Sequence, residues 1–225
     1  MSQKNQNQEE VVVAEAVSKT EKFFEENGKK VVIALVVLLL LVAGGYAYKY
    51  LVMDKNETAA AELIVAAQEN FAGETPNYDL ALNGDESGAG FLAVADEYGS
   101  TKAGNIANHY AGICYLHLGD LENAAKYLAK YKAVKGLAAE VVNAQNLGLQ
   151  GDVAVEQGDY AKAAKFFKKA VEASENNYTA PTYLYKQGLA LAAAGEVEAA
   201  KACYKAITEK YPTSMEARDA EKLLY

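Results

Sequence analysis

Hydrophobic and polar positions divide the chain into a polar start, one uninterrupted apolar run and a long amphipathic remainder. Residues 31–48 carry no charged side chain, and as a helix they span about 27 Å, close to the hydrocarbon core of a bilayer. A core helix would show a polar face, and a cleaved signal peptide would start with a short basic segment. The pattern therefore predicts an uncleaved transmembrane anchor at residues 30–53. A polar tail at residues 1–29 precedes it, with a helix that ends at Asn27-Gly28.

Lysine residues are unevenly distributed on the two sides of this apolar run. In the flanks nearest to it, four lie before it and two lie after it: Lys19, Lys22, Lys29 and Lys30 against Lys49 and Lys55. Basic residues near the end of a span favour the cytoplasmic side. The distribution predicts that the N-terminus is inside and that the long C-terminal part is outside.

Beyond the apolar run, small and large residues recur at a fixed spacing. Two glycines seven residues apart are followed each time by an alanine and then by a large apolar residue. The three sets are Gly112, Gly119, Ala124 and Leu128; Gly151, Gly158, Ala163 and Phe167; and Gly188, Gly195, Ala200 and Tyr204. The first glycine of a set allows two helices to approach closely, and the second ends the first helix. We therefore predict an all-α solenoid of about three helical hairpins over residues 101–212.

The segments on either side of the repeats also have helical patterns. Residues 54–100 are predicted to be a linker and a degenerate helical pair, in which residues 72–88 form a turn-rich connector. Residues 213–225 are predicted to be a helix that caps the last repeat. Thr213 and Glu216 stand at the spacing of a capping box at its start.

The net charge argues against nucleic acid as a partner. The two cysteines do not decide whether the protein lies in an oxidising or a reducing compartment. The net charge is −8, and residues 57–225 carry 15 basic against 23 acidic side chains. An acidic domain without a basic stripe argues against a nucleic-acid partner, because that binding depends on neutralising phosphates. Cys114 and Cys203 do not make a disulfide framework.

Chemical motifs do not indicate catalysis. Cys114 and His117 lie three residues apart, but a structural zinc site needs four ligands and a nucleophilic cysteine needs an oxyanion donor as well as a base. A buried cysteine and a surface histidine are the simpler interpretation. We predict no enzyme activity, no catalytic residue, no cofactor, no metal and no small-molecule substrate.

The repeated segments resemble the tetratricopeptide repeat, a helix–turn–helix unit with small residues at its crossings and a trailing proline. The matches are "GICYLHLGDLENAAKYLAKY", "GDVAVEQGDYAKAAKFFKKA" and "GLALAAAGEVEAAKACYKAITEKYP". The units are longer than the usual 34 residues, and the trailing proline is present once, as Pro212.

The order of elements carries a wider resemblance. A polar N-terminus with "FFEENGK", one span and divergent repeats resemble the family that contains the ancillary subunit of the bacterial Sec translocon. The resemblance implies an inner-membrane protein with a cytoplasmic N-terminus and a periplasmic repeat domain. It also implies protein partners among translocon subunits or periplasmic chaperones.

A groove along the first helices of the repeats is the candidate partner site that the repeat resemblance implies. Its mixture of apolar, aromatic and polar residues suits an extended or helical peptide. The candidate residues are His109, Ile113, Leu116, Gln145, Asp152, Tyr185 and Leu189. The alternative for the early members, such as Ile113 and Leu116, is that preceding helices cover them.

Two functions are therefore compatible with the sequence. The first is a membrane-anchored interaction scaffold in the periplasm that binds the translocon or chaperones in envelope protein biogenesis. The alternative is a structural subunit of an envelope complex, which self-assembles or bridges other subunits through its repeats.

Overall fold

The computed structural model describes the backbone of residues 2–224 and the side chains of residues 21, 23, 25–137 and 139–224. The chain divides into two compact units, Met1–Lys55 and Asn56–Tyr225. Helices dominate both, so the prediction of an all-α fold is confirmed. One two-stranded ribbon interrupts the helices of the second unit.

The first unit is one long helix. Helix α1 comprises Ser2–Tyr48, and a π-helical turn at Lys49–Met53 follows it. Among the described residues, one helical stretch, Glu25–Ala72, is long and apolar enough to cross a membrane, and the side chains of its most apolar part are exposed. The sequence predicted a helix break at Asn27-Gly28, and this is wrong. The helix continues through both residues, and Asn27 Nδ2 donates a hydrogen bond to the Phe23 carbonyl oxygen one turn earlier at 3.3 Å.

The second unit begins with a small helical assembly. It contains α2 (Asp54–Ala72), α3 (Tyr78–Asn83), β1 (Gly84–Asp85), β2 (Gly88–Ala89) and α4 (Phe91–Glu97). The strands are antiparallel, with Gly84 opposite Ala89. The predicted connector at residues 72–88 therefore contains a short helix and most of this ribbon. Ile64, Phe91 and Val94 form a common core with the next helix.

Three helical hairpins follow, as the glycine pattern predicted. They are α5 (Lys102–His117) with α6 (Leu121–Lys130), α7 (Leu137–Glu156) with α8 (Tyr160–Ala173), and α9 (Ala180–Ala193) with α10 (Val197–Lys210). The chain then forms α11, Ala217–Lys222. Each hairpin packs internally and against its neighbour in sequence, which produces a helical solenoid.

The first glycine of each set lies at a helix crossing. A Cβ atom on Gly112 would come within 2.5 Å of Leu128 Cγ, and one on Gly151 would come within 2.6 Å of Phe167 Cε1. Gly188 has the same relation to the Tyr204 ring, whose Cζ would be 2.9 Å away. Carbon atoms in contact are normally about 3.5–4.0 Å apart. The predicted pairing of a glycine with a large residue in each hairpin is therefore confirmed.

The second glycine of each set ends the first helix. Gly119, Gly158 and Gly195 have φ values of 79°, 75° and 85°, a left-handed conformation that glycine adopts without steric cost. The following Asp120 caps α6, because its carboxylate accepts a hydrogen bond from the Asn123 N–H. Asp159 caps α8 in the same way through the Lys162 N–H.

The predicted capping box at Thr213 and Glu216 does not form. Helix α11 begins at Ala217, because the chain first makes turns in which the Ser214 N–H donates to the Tyr211 carbonyl. The Glu216 carboxylate instead accepts a hydrogen bond from Thr182 Oγ1 at 2.6 Å.

Candidate functional site

Polar contacts connect the first helices of successive hairpins. Asn146 Nδ2 of α7 lies 3.1 Å from His109 Nδ1 of α5. Lys186 of α9 forms a 2.8 Å ion pair with Asp152 of α7. Together with the bond from Thr182 to Glu216, these contacts place α5, α7, α9 and the start of α11 in one row. The exposed side chains on this row form one surface of the solenoid.

An open cleft of about 570 Å³ lies on this surface in the C-terminal half of the solenoid. The N-terminal halves of α7 and α9 and the loops before α9 and α11 line it. The lining residues are Val141, Gln145, Asn177, Tyr178, Thr179, Thr182, Tyr183, Thr213, Ser214, Met215 and Glu216. A second cavity of about 520 Å³ shares residues 214–216 and adds Tyr185, Arg218 and Asp219. The two cavities therefore adjoin each other at residues 214–216.

Two large apolar side chains in the cleft lining face solvent. Tyr178 is 85% exposed and Met215 is 90% exposed. Tyr178 lies in the loop between α8 and α9, and Met215 lies in the loop between α10 and α11. Exposed aromatic and methionine side chains that line one concave site are typical of surfaces that bind protein segments.

Tyr183 and Glu216 set the electrostatics of the cleft. Burial and the nearby Asp152 raise the pKa of Tyr183 to about 12, so its phenol stays neutral. Its ring packs against Gly148, where a Cβ atom would clash with it. Among the described residues that line the larger cavity, Glu216 is the one acidic residue, and none is a Lys or an Arg. The cleft therefore offers apolar contact, hydrogen-bonding groups and one carboxylate.

The structure separates the seven residues predicted for the groove. Gln145 lines the larger cavity and Tyr185 the adjoining one. Asp152 is paired with Lys186, and Leu189 is 45% exposed. Leu116 is partly buried, and His109 and Ile113 lie in the protein core. The N-terminal members of the set therefore contribute packing, and the C-terminal members contribute accessible surface.

His109 is an uncharged member of the junction between the first two hairpins. It is 2% exposed, and burial lowers its pKa to about 4, although a hydrogen bond with Gln145 partly opposes this. The rings of Tyr110 and Tyr131 lie beside it at centroid distances of 5.5 and 5.6 Å. A neutral imidazole in this position accepts the Asn146 hydrogen bond at Nδ1.

Cys114 and His117 do not form a reactive pair. Burial raises the pKa of the Cys114 thiol to about 12, which keeps it in the unreactive thiol form. The His117 ring stacks on Tyr78 at a centroid distance of 4.1 Å. Within the described part of the chain, no three His, Cys, Asp or Glu side chains are grouped as metal ligands would be.

The exposed Tyr178 and Met215 were missed in the sequence. They lie in irregular loops, where the 3.6-residue period that identifies helix faces does not apply. The sequence signals that could have identified them are the turn-forming residues next to each. Asn176 and Asn177 precede Tyr178, and "PTS" precedes Met215, so each is a large apolar residue within a turn-forming segment.

Comparisons with known proteins agree with the helical architecture. A family model described as a tetratricopeptide repeat-like domain matches residues 21–222. No curated protein sequence matches the chain significantly.

Two solved structures are similar to this chain, one over most of its length and one over about half of it. The crystal structure of PilW, a widely conserved type IV pilus biogenesis factor, is 20% identical with a TM-score of 0.50, covering 92% of this chain and 90% of that one. The first TPR of Spaghetti (RPAP3), bound to the HSP90 peptide SRMEEVD, is 21% identical with a TM-score of 0.41, covering 53% of this chain and 91% of that one. At these identities the similarity to PilW describes a shared fold.

Proposed function

Because the chain belongs to the tetratricopeptide repeat-like domain family, we propose that it is a membrane-anchored scaffold that binds protein partners through its cleft. The observation that carries the proposal is the exposure of Tyr178 and Met215 in the lining of one cavity. Repeat solenoids present such concave surfaces to other proteins. Among the described residues that line the cleft, Tyr183 stays neutral and Glu216 is held by Thr182, which supports a binding role for this surface.

The partner segment is an extended or helical peptide with an apolar anchor residue. Tyr178, Met215 and Val141 supply the apolar contact area, and Gln145 and Asn177 supply exposed amides for backbone hydrogen bonds. The adjoining cavity lengthens the site toward Tyr185, and Leu189 continues the exposed face of α9. The other predicted residues support this surface: Asp152 by pairing with Lys186, and His109, Ile113 and Leu116 by packing.

The anchor is the apolar helix at residues 30–53, in an inner membrane with the N-terminus in the cytoplasm and the repeat unit in the periplasm. The exposed apolar side chains of this helix and the excess of lysines before it support this topology. Because the order of elements resembles the family of the ancillary Sec translocon subunit, translocon subunits and periplasmic chaperones are the partners to test first.

Site-specific photocrosslinking in cells tests the cleft. A photoreactive amino acid at Met215 or Tyr178 is expected to capture a defined protein, because both side chains line the proposed site. The matched control is the same amino acid at Lys168, whose side chain is 66% exposed on α8 and outside the cleft. Adding Tyr178→Glu should remove the adduct at position 215, since a carboxylate desolvated against an apolar anchor destabilises the complex.

Equal adducts at positions 168 and 215 would contradict the cleft as the binding site. A second copy of the same chain in the adduct would instead support the structural-subunit alternative.

Labelling with a membrane-impermeant maleimide tests the topology. Cys114 and Cys203 are buried, so a cysteine introduced as Lys168→Cys is expected to be the main reactive thiol. We expect it to be labelled in intact spheroplasts as strongly as after lysis. A cysteine at a position before the apolar run, as Lys29→Cys, should react after lysis alone. The reverse result for the two positions would place the repeat unit in the cytoplasm.

A further inference from the structure

The linker between the first two hairpins is an ordered, extended segment. Residues 131–135 contain no helical or turn structure, and Tyr131 has extended dihedral angles of −63° and 129°. Gly136, at φ 118°, then redirects the chain into α7. A linker without secondary structure is usually mobile, so specific contacts must hold this segment in place.

Two asparagine side chains hold one edge of the segment. Asn105 Oδ1 accepts from the Lys132 N–H, and Asn105 Nδ2 donates to the Lys132 carbonyl, both at 2.8 Å. Asn143 Oδ1 accepts from the Val134 N–H at 3.1 Å, and Asn143 Nδ2 donates to the Val134 carbonyl at 2.8 Å. Each amide therefore makes the two reciprocal bonds that a residue in a neighbouring antiparallel strand would make.

The opposite edge of the segment is unpaired. In an extended chain the backbone groups of alternate residues point to opposite sides, so Ala133 faces away from the edge that binds Asn105 and Asn143. Ala133 is exposed, and its N–H and C=O form no hydrogen bond within the described residues. A fixed strand with an open edge is a template for the addition of another strand.

Charge around the segment selects the partner. Residues 123–139 contain four lysines and no acidic residue, in a chain whose net charge is −8. Lys132 and Lys135 flank Ala133, and both are exposed. Neither forms an ion pair with a residue that the structure describes. The open edge thus favours acidic side chains on an added strand and disfavours a second copy of itself, which would bring lysines together.

We propose that residues 131–135 are a second docking site, which binds an extended acidic segment of a partner protein by β-strand addition. The backbone of Ala133 supplies the central pair of hydrogen bonds, and Lys132 and Lys135 attract the acidic side chains. The site shares no residue with the cleft lining. Binding to one site can therefore be lost while binding to the other is kept.

A labelled peptide and one backbone variant test this proposal. The probe is fluorescein-labelled Glu-Val-Glu-Val-Glu-Val, titrated by anisotropy against the full chain in detergent. Ala133→Pro removes the central N–H donor, and the proline favours an extended conformation at the preceding Lys132. The Kd is expected to rise about tenfold or more in this variant. Ala133→Ser, the matched control, keeps the N–H and should bind like the wild type.

Two further comparisons complete the test. A Lys-Val-Lys-Val-Lys-Val probe should bind much more weakly than the acidic probe, and Lys132→Glu with Lys135→Glu should reverse that preference. This double variant also keeps the proposal testable if Ala133→Pro fails to fold. Absence of binding by the wild type at about 1 mM acidic probe, or equal binding by Ala133→Pro and Ala133→Ser, would overturn the proposal.

Discussion

Acidification from pH 6.5 to pH 4 is expected to destabilise the repeat unit by about 3 kcal/mol through His109 alone. Its folded pKa of about 4 lies below the 6.5 of an unperturbed histidine side chain, so the unfolded chain takes up the proton first. The stabilisation from the neutral ring is fully present above pH 6.5, falls as the pH decreases, and is fully lost below about pH 4. The groups that face the ring are Asn146, Gln145, Tyr110 and Tyr131, and none of them is a carboxylate that would stabilise the cation.

Urea unfolding of the full chain in detergent, followed by circular dichroism across this pH range, measures the effect. His109→Gln removes the titrating group, so the stability difference between wild type and variant should change with pH. His117→Gln is the matched control, because that ring lies on the surface against Tyr78, and its curve should follow the wild type. Parallel curves for wild type and His109→Gln would contradict this expectation, because they would mean that His109 has the same pKa in the folded and the unfolded protein.

Gly104→Ala is expected to cost about 3 kcal/mol, at the upper end of overpacking effects. A Cβ atom at this position would overlap the carbonyl of Tyr98 and lie 2.8 Å from the Gly99 nitrogen. These are backbone atoms in a closed turn, since the Tyr98 carbonyl accepts the Thr101 N–H and the Thr101 hydroxyl accepts the Gly104 N–H at 2.9 Å. They cannot move aside as a side chain could.

Thermal unfolding of the variant checks this expectation. Lys102→Ala changes an exposed side chain in the same helical turn and is expected to leave the melting temperature nearly unchanged. A melting temperature for Gly104→Ala equal to that of Lys102→Ala would mean that the turn at residues 98–101 opens without cost.

A glycine at a helix crossing can be recognised in the sequence when it recurs at a regular spacing. Gly112, Gly151 and Gly188 are identifiable because each returns at the same distance from a large residue that packs on it. Gly104 has no counterpart in the other sets, since its constraint comes from a turn whose shape is set by local hydrogen bonds. The Asn27-Gly28 turn signal failed for an energetic reason. One glycine costs a helix about 1 kcal/mol, which a long continuous helix tolerates.

The candidate site was accessible to sequence reasoning in part. Helical spacing assigns Gln145 of α7 and Tyr185 of α9 to the groove side of the first helices, and these residues line the two cavities. The same spacing also selected His109, which other elements of the fold bury. Helical periodicity defines a face but does not show whether that face meets solvent or another helix. Tyr178 and Met215 depend on loop conformations, which no periodic pattern encodes.

The contacts between first helices also determine how the protein opens. Each joins only neighbouring units: Asp152 with Lys186, and Thr182 with Glu216. Local unfolding is therefore expected in the shortest element of the row, the six-residue α11. Because residues 213–216 form one wall of the cleft, fraying of this end removes the site before the rest of the solenoid unfolds. Amide hydrogen exchange in α10 and α11 thus reports occupancy of the cleft, since a bound segment slows the opening that exposes them.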